Sequence, residues 1–167
     1  MTNNFANFFQ KFVNTPKKGM IITVSGEKKT VKAISLFTSL NYQKSIGNYY
    51  KIVFTDDSLL IIIPELQSVQ YSAGDLGQIK TITDEMIGEP TVSYKGNTYK
   101  LENKHDYQFV LQKLVGGPLD IEGECQFTDY VNEADSEDSL SLAWIAYDGR
   151  RSDVHSHTIE ISELDII

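Results

Sequence analysis

The first segment of the chain carries apolar side chains at the spacing of an α-helix. Its large apolar residues follow the pattern i, i+3, i+4, i+7, i+8 and are Phe5, Phe8, Phe9, Phe12 and Val13. Because an α-helix turns once in 3.6 residues, these side chains form one stripe. The helix should end at residues 14–16, since the residue before a proline disfavours helical geometry. We therefore predict an amphipathic helix over residues 1–15.

The phenylalanine stripe has two alternative destinations. It can pack on a sheet of its own chain, or it can lie on a membrane surface or in a groove of a partner. In the second case residues 4–18 would make a peripheral membrane contact through the lysines at positions 11, 17 and 18. A helix of about ten residues is marginal in water by itself. Four phenylalanines on one short helix are too apolar to leave in water, so we expect the stripe to pack on the protein's own sheet.

After Gly19 the pattern changes to short runs of β-type residues separated by turn residues. Residues 48–55 alternate between two faces, and an acidic turn at 56–58 leads into the apolar run 59–63. A second hairpin is predicted where Lys95-Gly96-Asn97 separates the runs 91–94 and 98–102. Residues 107–114 fit both a strand and a helix. About ten such strands with one or two helices predict a mainly β protein.

The domain organisation follows from the lengths of the connections. They are too short for repeated crossover helices, so the sheet should be mostly antiparallel. Residues 72–89 contain three glycines and would connect two similar β-rich halves, at 20–71 and 90–167. We predict one β-rich domain over residues 16–167, with these two halves as a subdivision and the N-terminal helix packed against it.

Composition narrows the function classes. With 167 residues, 41% of them hydrophobic, the chain is an ordinary globular one. The single cysteine, Cys125, excludes an intramolecular disulfide and multi-cysteine metal sites. The net charge of −8 argues against nucleic-acid binding, which needs a basic surface. The first residues lack the basic region and long apolar run of a signal peptide, so we expect a cytoplasmic protein.

The charges are unevenly distributed along the chain. Residues 1–55 hold eight lysines and one acid, whereas residues 56–167 hold seven basic and 22 acidic residues. After Pro118, 13 acidic residues face only Arg150 and Arg151. Such asymmetry is typical of a surface that meets a partner, although attraction between two halves of one sheet explains it as well.

One group of residues has the composition of a metal site. Asp153, His155 and His157 alternate, so in a strand their side chains point to one face. Two imidazoles and a carboxylate can bind zinc or iron and leave coordination positions open. Alternatively, His157 borders the core, because Ile159 continues the same face.

Two stretches resemble a known group of domains. Residues 47–63 form an aromatic strand, an acidic turn and an apolar strand, and a matching order recurs in Asp129-Tyr130, residues 140–149 and residues 159–167. Together they resemble uncharacterised bacterial accessory domains that are encoded beside membrane-stress proteins and polyamine-synthase-like enzymes. The resemblance covers about residues 20–167 and implies a β-rich, non-enzymatic domain with membrane-associated partners. It carries over no functional residue, and Tyr49-Tyr50 stand where those domains often have tryptophan.

We predict a non-catalytic cytoplasmic accessory or binding module with a protein partner. The sequence has no catalytic motif and no cofactor-binding motif, so neither an enzymatic activity nor a cofactor is expected. One alternative is an acidic immunity or inhibitor protein that blocks a basic toxin, since complementary charge speeds association. The other is a metal-dependent enzyme centred on Asp153, His155 and His157. The sequence does not determine an oligomeric state.

Overall fold

The computed structural model describes residues 4–39, 47–116, 124–145 and 149–167; within the strands, the side chains of residues 39, 104–113, 124–125 and 143–145 are not described. The protein is mainly β, with one N-terminal helix and antiparallel strands, which confirms the predicted fold class. The elements are α1 (Asn4–Asn14), β1 (Ile21–Val24), β2 (Glu27–Ser39), β3 (Asn48–Phe54), β4 (Leu59–Ile63), β5 (Ser68–Ser72), β6 (Thr91–Tyr94), β7 (Asn97–Val115), β8 (Glu124–Asn132), β9 (Asp138–Ile145), β10 (Arg151–Thr158) and β11 (Leu164–Ile166).

The strands form a sheet that closes on itself. Strands β2 to β5 form one antiparallel meander and β7 to β10 form another. The two meanders meet where β5 pairs with β10 and where β2 pairs with β7, so eight strands make a closed ring. Strands β1 and β11 extend the sheet beside the start of β2, and β6 extends it beside the start of β7.

The strand order is the same in the two halves of the chain. Each begins with a short strand, a two-residue turn and a long strand, followed by three further strands. The turns are Ser25-Gly26 and Lys95-Gly96, and all four residues have positive φ. This is the turn geometry that matches the twist of a two-residue hairpin. The halves are not separate in space, however, because β11 comes from the end of the chain and pairs with β1.

Helix α1 packs on the outer face of the first half. The interior of a ring of eight strands is filled by side chains or holds at most one small ligand, so a helix lies outside it. Phe5, Phe8 and Phe12 are buried in one cluster with residues of β1 to β5 and β11, as expected for the stripe. Phe9 is only partly buried, and Val13, at the edge of the stripe, is 49% exposed. Residues 1–3 of the predicted helix lie outside the described residues.

Residues 73–90 cover the outer face of the second half. Their buried side chains Ile79 and Ile82 pack with Tyr99 and Tyr130, among others, in a second apolar cluster. This segment therefore occupies, in the second half, the place that α1 occupies in the first. The predicted connector between the halves thus also completes a core.

Some predicted elements differ from the structure. The predicted strand over residues 98–102 and the undecided segment 107–114 belong to one strand, β7. Strand β5 was missed because it carries polar residues at three of its five positions. The sequence also favours a tight turn at Gly26-Glu27 between the runs 20–25 and 30–37, whereas the first hairpin turns at Ser25-Gly26. Within the described part of the chain, no helix has the length and apolar character needed to cross a membrane.

Candidate functional site

A group of ionisable and aromatic side chains lies at the margin of the second apolar cluster. We call it the His155 cluster, and it consists of Tyr94, Tyr99, Asn132, Asp138 and His155. Residues paired across antiparallel strands point to the same face. His155 is paired with Leu140, Tyr99 is paired with Asn132, and Asp138 lies two residues before Leu140. The sheet register therefore brings these side chains to the outer face that residues 73–90 partly cover.

Asp138 is the centre of the hydrogen bonds in this cluster. Its Oδ1 lies 2.5 Å from His155 Nε2. Its Oδ2 accepts hydrogen bonds from the Tyr99 hydroxyl at 2.8 Å and from Asn132 Nδ2 at 2.7 Å. The Tyr99 hydroxyl also lies 3.4 Å from His155 Nε2. Both carboxylate oxygens are therefore occupied by groups of the protein itself.

The environment moves the pKa values of Asp138 and Tyr99 in opposite directions. Burial alone would raise the pKa of Asp138, but the hydrogen bonds from Asn132, Tyr99 and His155 outweigh it and the pKa is lowered. Burial and the neighbouring Asp138 carboxylate both raise the pKa of Tyr99. Asp138 is therefore ionised and Tyr99 is a neutral hydrogen-bond donor at neutral pH.

Aromatic rings border the cluster on its solvent side. The Tyr94 ring meets His155 edge to face, with ring centres 5.4 Å apart and planes at 74°. Lys95 Nζ lies 5.3 Å from the centre of the Tyr94 ring. The His155 side chain is 34% exposed, compared with 16% for Asp138. The imidazole and Tyr94 are thus partly exposed to solvent, while the carboxylate stays mostly enclosed.

His157 belongs to a different set of contacts. Its ring meets Tyr71 edge to face at 5.8 Å, and Lys29 Nζ lies 5.6 Å from the centre of the Tyr71 ring. Lys29 in turn pairs with Asp56 at 2.6 Å, and this hydrogen bond lowers the pKa of the Asp56 carboxyl and raises that of Lys29. Because His155 and His157 alternate on one strand, this second set lies on the same face as the His155 cluster.

The three residues of the predicted metal site have different partners. The carboxylate of Asp153 is fully buried and accepts hydrogen bonds from Arg151 Nε and from the Ile79 amide. His155 contacts Asp138, and His157 packs on Tyr71. Among the residues that the structure describes, no three His, Cys, Asp or Glu side chains form a group that could hold a metal ion. The alternation placed the three side chains on one face but did not bring them together.

Asp153 and Arg151 hold residues 73–90 on the sheet. Arg151 Nη2 lies 2.8 Å from Asp153 Oδ2, and both side chains are almost completely buried. Arg151 Nη1 donates to the Ile82 carbonyl at 2.5 Å and lies 3.3 Å from Asp84 Oδ1. The pair therefore satisfies backbone groups of the covering segment, which is a structural role.

The hydrogen bonds of the His155 cluster hold its imidazole in one position. Its imidazole–carboxylate pair resembles the base of a nucleophilic site. However, the only described side chains in hydrogen-bond contact with His155 are Asp138 and Tyr99. The raised pKa of Tyr99 makes that hydroxyl a poor nucleophile. Among the residues that the structure describes, the arrangement thus holds the imidazole in place and brings no other nucleophilic side chain within hydrogen-bond distance of it.

Sequence patterns did not reveal Asp138, Tyr99 and Asn132 as one group. In the sequence, Asp138 belongs to the acidic segment 133–139, which is typical of an exposed turn, and Tyr99 is one aromatic residue in a predicted strand. The register of β7 to β10 is needed to bring them to His155. A shallow cleft of about 480 Å³ adjoins the cluster at Asn132, and its other lining residues are Lys100, Leu101, Glu102, Val131 and Glu133.

Comparison with known proteins found no significant match to this chain. No protein-family model matches the chain, and neither the curated proteins nor the solved structures include a significant match. The resemblance to bacterial accessory domains therefore stays a prediction.

Proposed function

We propose that this protein is a non-catalytic accessory module that binds a protein partner at the surface formed by Tyr94 and His155. The observation that carries the proposal is that both oxygens of the Asp138 carboxylate are engaged by contacts within the protein, while the imidazole of His155 is 34% exposed and Tyr94 is partly exposed. Fixed aromatic side chains with one polar end are typical of the central residues of protein interfaces.

The surface is also preorganised for binding. His155 is held by Asp138 on one side and by the Tyr94 and Tyr99 rings on the others. A partner therefore does not have to order these side chains, which reduces the entropy cost of association. This supports recognition of a defined surface.

Site-specific crosslinking tests this proposal. A photoreactive benzoylphenylalanine replaces Tyr94 in one variant and Leu66 in a control variant. Leu66 is 58% exposed and lies between β4 and β5, away from the cluster. In cells of the native host, we expect a discrete crosslinked protein from position 94 that is absent from position 66. Excess protein without the photoreactive residue should compete for the partner and suppress this crosslink. Excess protein that carries both His155→Ala and Tyr94→Ala should not suppress it. Identical products at both positions, or none at position 94, would refute the proposal.

A second candidate function is inhibition of a basic protein such as a toxin. The observation that favours it is the turn between β8 and β9, where Glu133, Asp135 and Glu137 are exposed and form no ion pair with another described residue. Such a turn would accelerate the approach of a basic partner. If it does, replacing the three acids by Gln, Asn and Gln should slow association of the crosslinked partner, and the difference should vanish at high salt. An unchanged association rate would reject this candidate.

A further inference from the structure

The two halves of the sheet differ at the outer edge of their first hairpin. In the first half, β1 lies between β2 and β11, with Ile22 opposite Ile166 and Val24 opposite Leu164. In the second half, β6 pairs with β7, and no described strand pairs with its other edge. The position beside β6 that corresponds to β11 therefore holds no strand among the described residues.

Backbone hydrogen bonds show that the two hairpins pair their strands in the same way. The Val31 amide donates to the Met20 carbonyl at 2.9 Å, and in the second half the Leu101 amide donates to the Pro90 carbonyl at the same distance. Both hairpins have the same two-residue turn geometry. Each residue of β1 thus corresponds to the residue 70 positions later in β6.

The turn geometry also determines which backbone groups face outward. In a two-residue hairpin the residues that flank the turn bond to each other, so Ser93 and Thr91 direct their N–H and C=O groups away from β7. Their counterparts in the first half are Thr23 and Ile21. The Ile21 carbonyl accepts a hydrogen bond from the Ile167 amide at 3.0 Å, just beyond the end of β11. The equivalent Thr91 carbonyl points away from β7, toward the position where the described residues place no strand.

The β6 edge is continuous with the His155 cluster. Thr91 and Ser93 are exposed, while Val92 is buried and Tyr94 packs on His155. A strand added beside β6 would therefore place alternate side chains next to Tyr94 on the outer face. Strand edges with unpaired backbone groups are known sites of strand addition.

We propose that the outer edge of β6 binds an extended segment of the protein partner as an added strand, at the position that β11 occupies in the first half. This inference rests on the proposed function and adds the backbone chemistry of recognition. By analogy with β11, which buries Leu164 and Ile166 and exposes Asp165, the segment should have apolar residues at alternate positions. A second copy of this chain is a poorer occupant, because each copy carries a net charge of −8 and the copies repel each other.

Peptide selection combined with hydrogen exchange tests this inference. The probe is a phage-displayed library of random nine-residue peptides, selected on the full-length protein. We expect enriched peptides with alternating apolar residues. Their binding should slow amide exchange at Thr91 and Ser93 by at least about tenfold, because both amides face away from β7 and can donate hydrogen bonds to the added strand. Exchange at Thr23, whose edge is already paired with β11, should not change.

Two variants of one residue provide the matched comparison. Ser93→Pro removes an amide that faces away from β7, so it should preserve the hairpin and weaken peptide binding by about tenfold or more. Ser93→Ala keeps the amide and should change the affinity by less than about twofold. If Ser93→Pro fails to fold, the exchange measurement on the unmodified protein decides alone.

Several results would overturn the inference. One is the absence of any enriched peptide, and another is protection that leaves out β6. A third is binding to folded Ser93→Pro as tight as binding to the unmodified protein. The last is protection of β6 by self-association when no peptide is present. The crosslinking test separates this failure from that of the proposed function. A Tyr94 crosslink that persists in folded Ser93→Pro would reject strand addition alone, whereas peptides at β6 without any Tyr94 crosslink in cells would reject the proposed partner alone.

Discussion

Asp138 is the single residue on which the geometry of the candidate site depends. Its carboxylate joins the Tyr99 hydroxyl, the Asn132 amide and the His155 imidazole, which come from three other strands. Asp138→Asn would remove the charge and turn one acceptor into a donor facing other donors. We expect it to lower the free energy of unfolding by about 1–3 kcal/mol. Denaturant unfolding checks this, with the exposed Asp135→Asn as a control that should change little.

The lowered pKa of Asp138 predicts that the stability of the protein depends on pH. Since folding lowers the pKa of Asp138, its stabilising contribution is fully present above the unfolded value, near 3.8, and is lost as the pH falls through the lower folded pKa. The stability difference between the unmodified protein and Asp138→Asn should therefore be constant around neutral pH and shrink below about pH 4. Urea titrations at several pH values measure it. A difference that grows on acidification would contradict the assigned direction of the pKa shift.

The ion pair of Arg151 and Asp153 should contribute much more to the stability of the fold than exposed ion pairs do. Asp153→Ala would leave the buried guanidinium without its carboxylate and should cost about 3–5 kcal/mol of stability. The control is Lys32→Ala, which breaks the exposed pair with Asp57 and should cost at most about 1 kcal/mol. Equal effects in thermal unfolding would show that the buried pair does not hold residues 73–90 on the sheet.

At the scale of elements, helix α1 offers a comparison between neighbouring residues. Phe12 is fully buried between the helix and the sheet, whereas Val13 is 49% exposed. Phe12→Ala should cost about 3–5 kcal/mol because it removes apolar contacts and leaves a cavity. Val13→Ala should cost less than about 1 kcal/mol. Calorimetric melting of both variants measures the difference, and a Phe12→Ala protein as stable as Val13→Ala would mean that the helix is not docked in solution.

At the scale of the whole molecule, the last strand links the two ends of the chain. Ile166 in β11 is 1% exposed and completes the first apolar cluster, while the adjacent Ile167 is 57% exposed. Ile166→Ala should cost about 2–5 kcal/mol and accelerate amide exchange in β1, whereas Ile167→Ala should do neither. Because β11 and the closed ring join both halves, each variant should still unfold in one transition, with equal calorimetric and van't Hoff enthalpies. Two separate transitions would indicate independent halves.

The sequence by itself determined the local structure of this protein. The 3.6-residue spacing of Phe5, Phe8 and Phe12 specifies one helical stripe, and burying it is so favourable that its destination could be predicted. Alternation and turn residues specified strands such as β3, β4 and β6, because these signals act between neighbours in the chain. The antiparallel class followed from the short connections.

Only the tertiary structure decided which strands meet and which side chains form the site. Ring closure through β2 and β7, the pairing of β11 with β1, and the register that brings Tyr99 and Asp138 to His155 all join residues far apart in sequence. Alternation put Asp153, His155 and His157 on one face, yet each has its own partners: Asp153 contacts Arg151 of the same strand and the covering segment 73–90, His155 contacts β9, and His157 contacts β5. Local periodicity fixes the face on which a side chain lies, whereas its neighbours across the sheet depend on strand register, which is set by packing of the whole molecule.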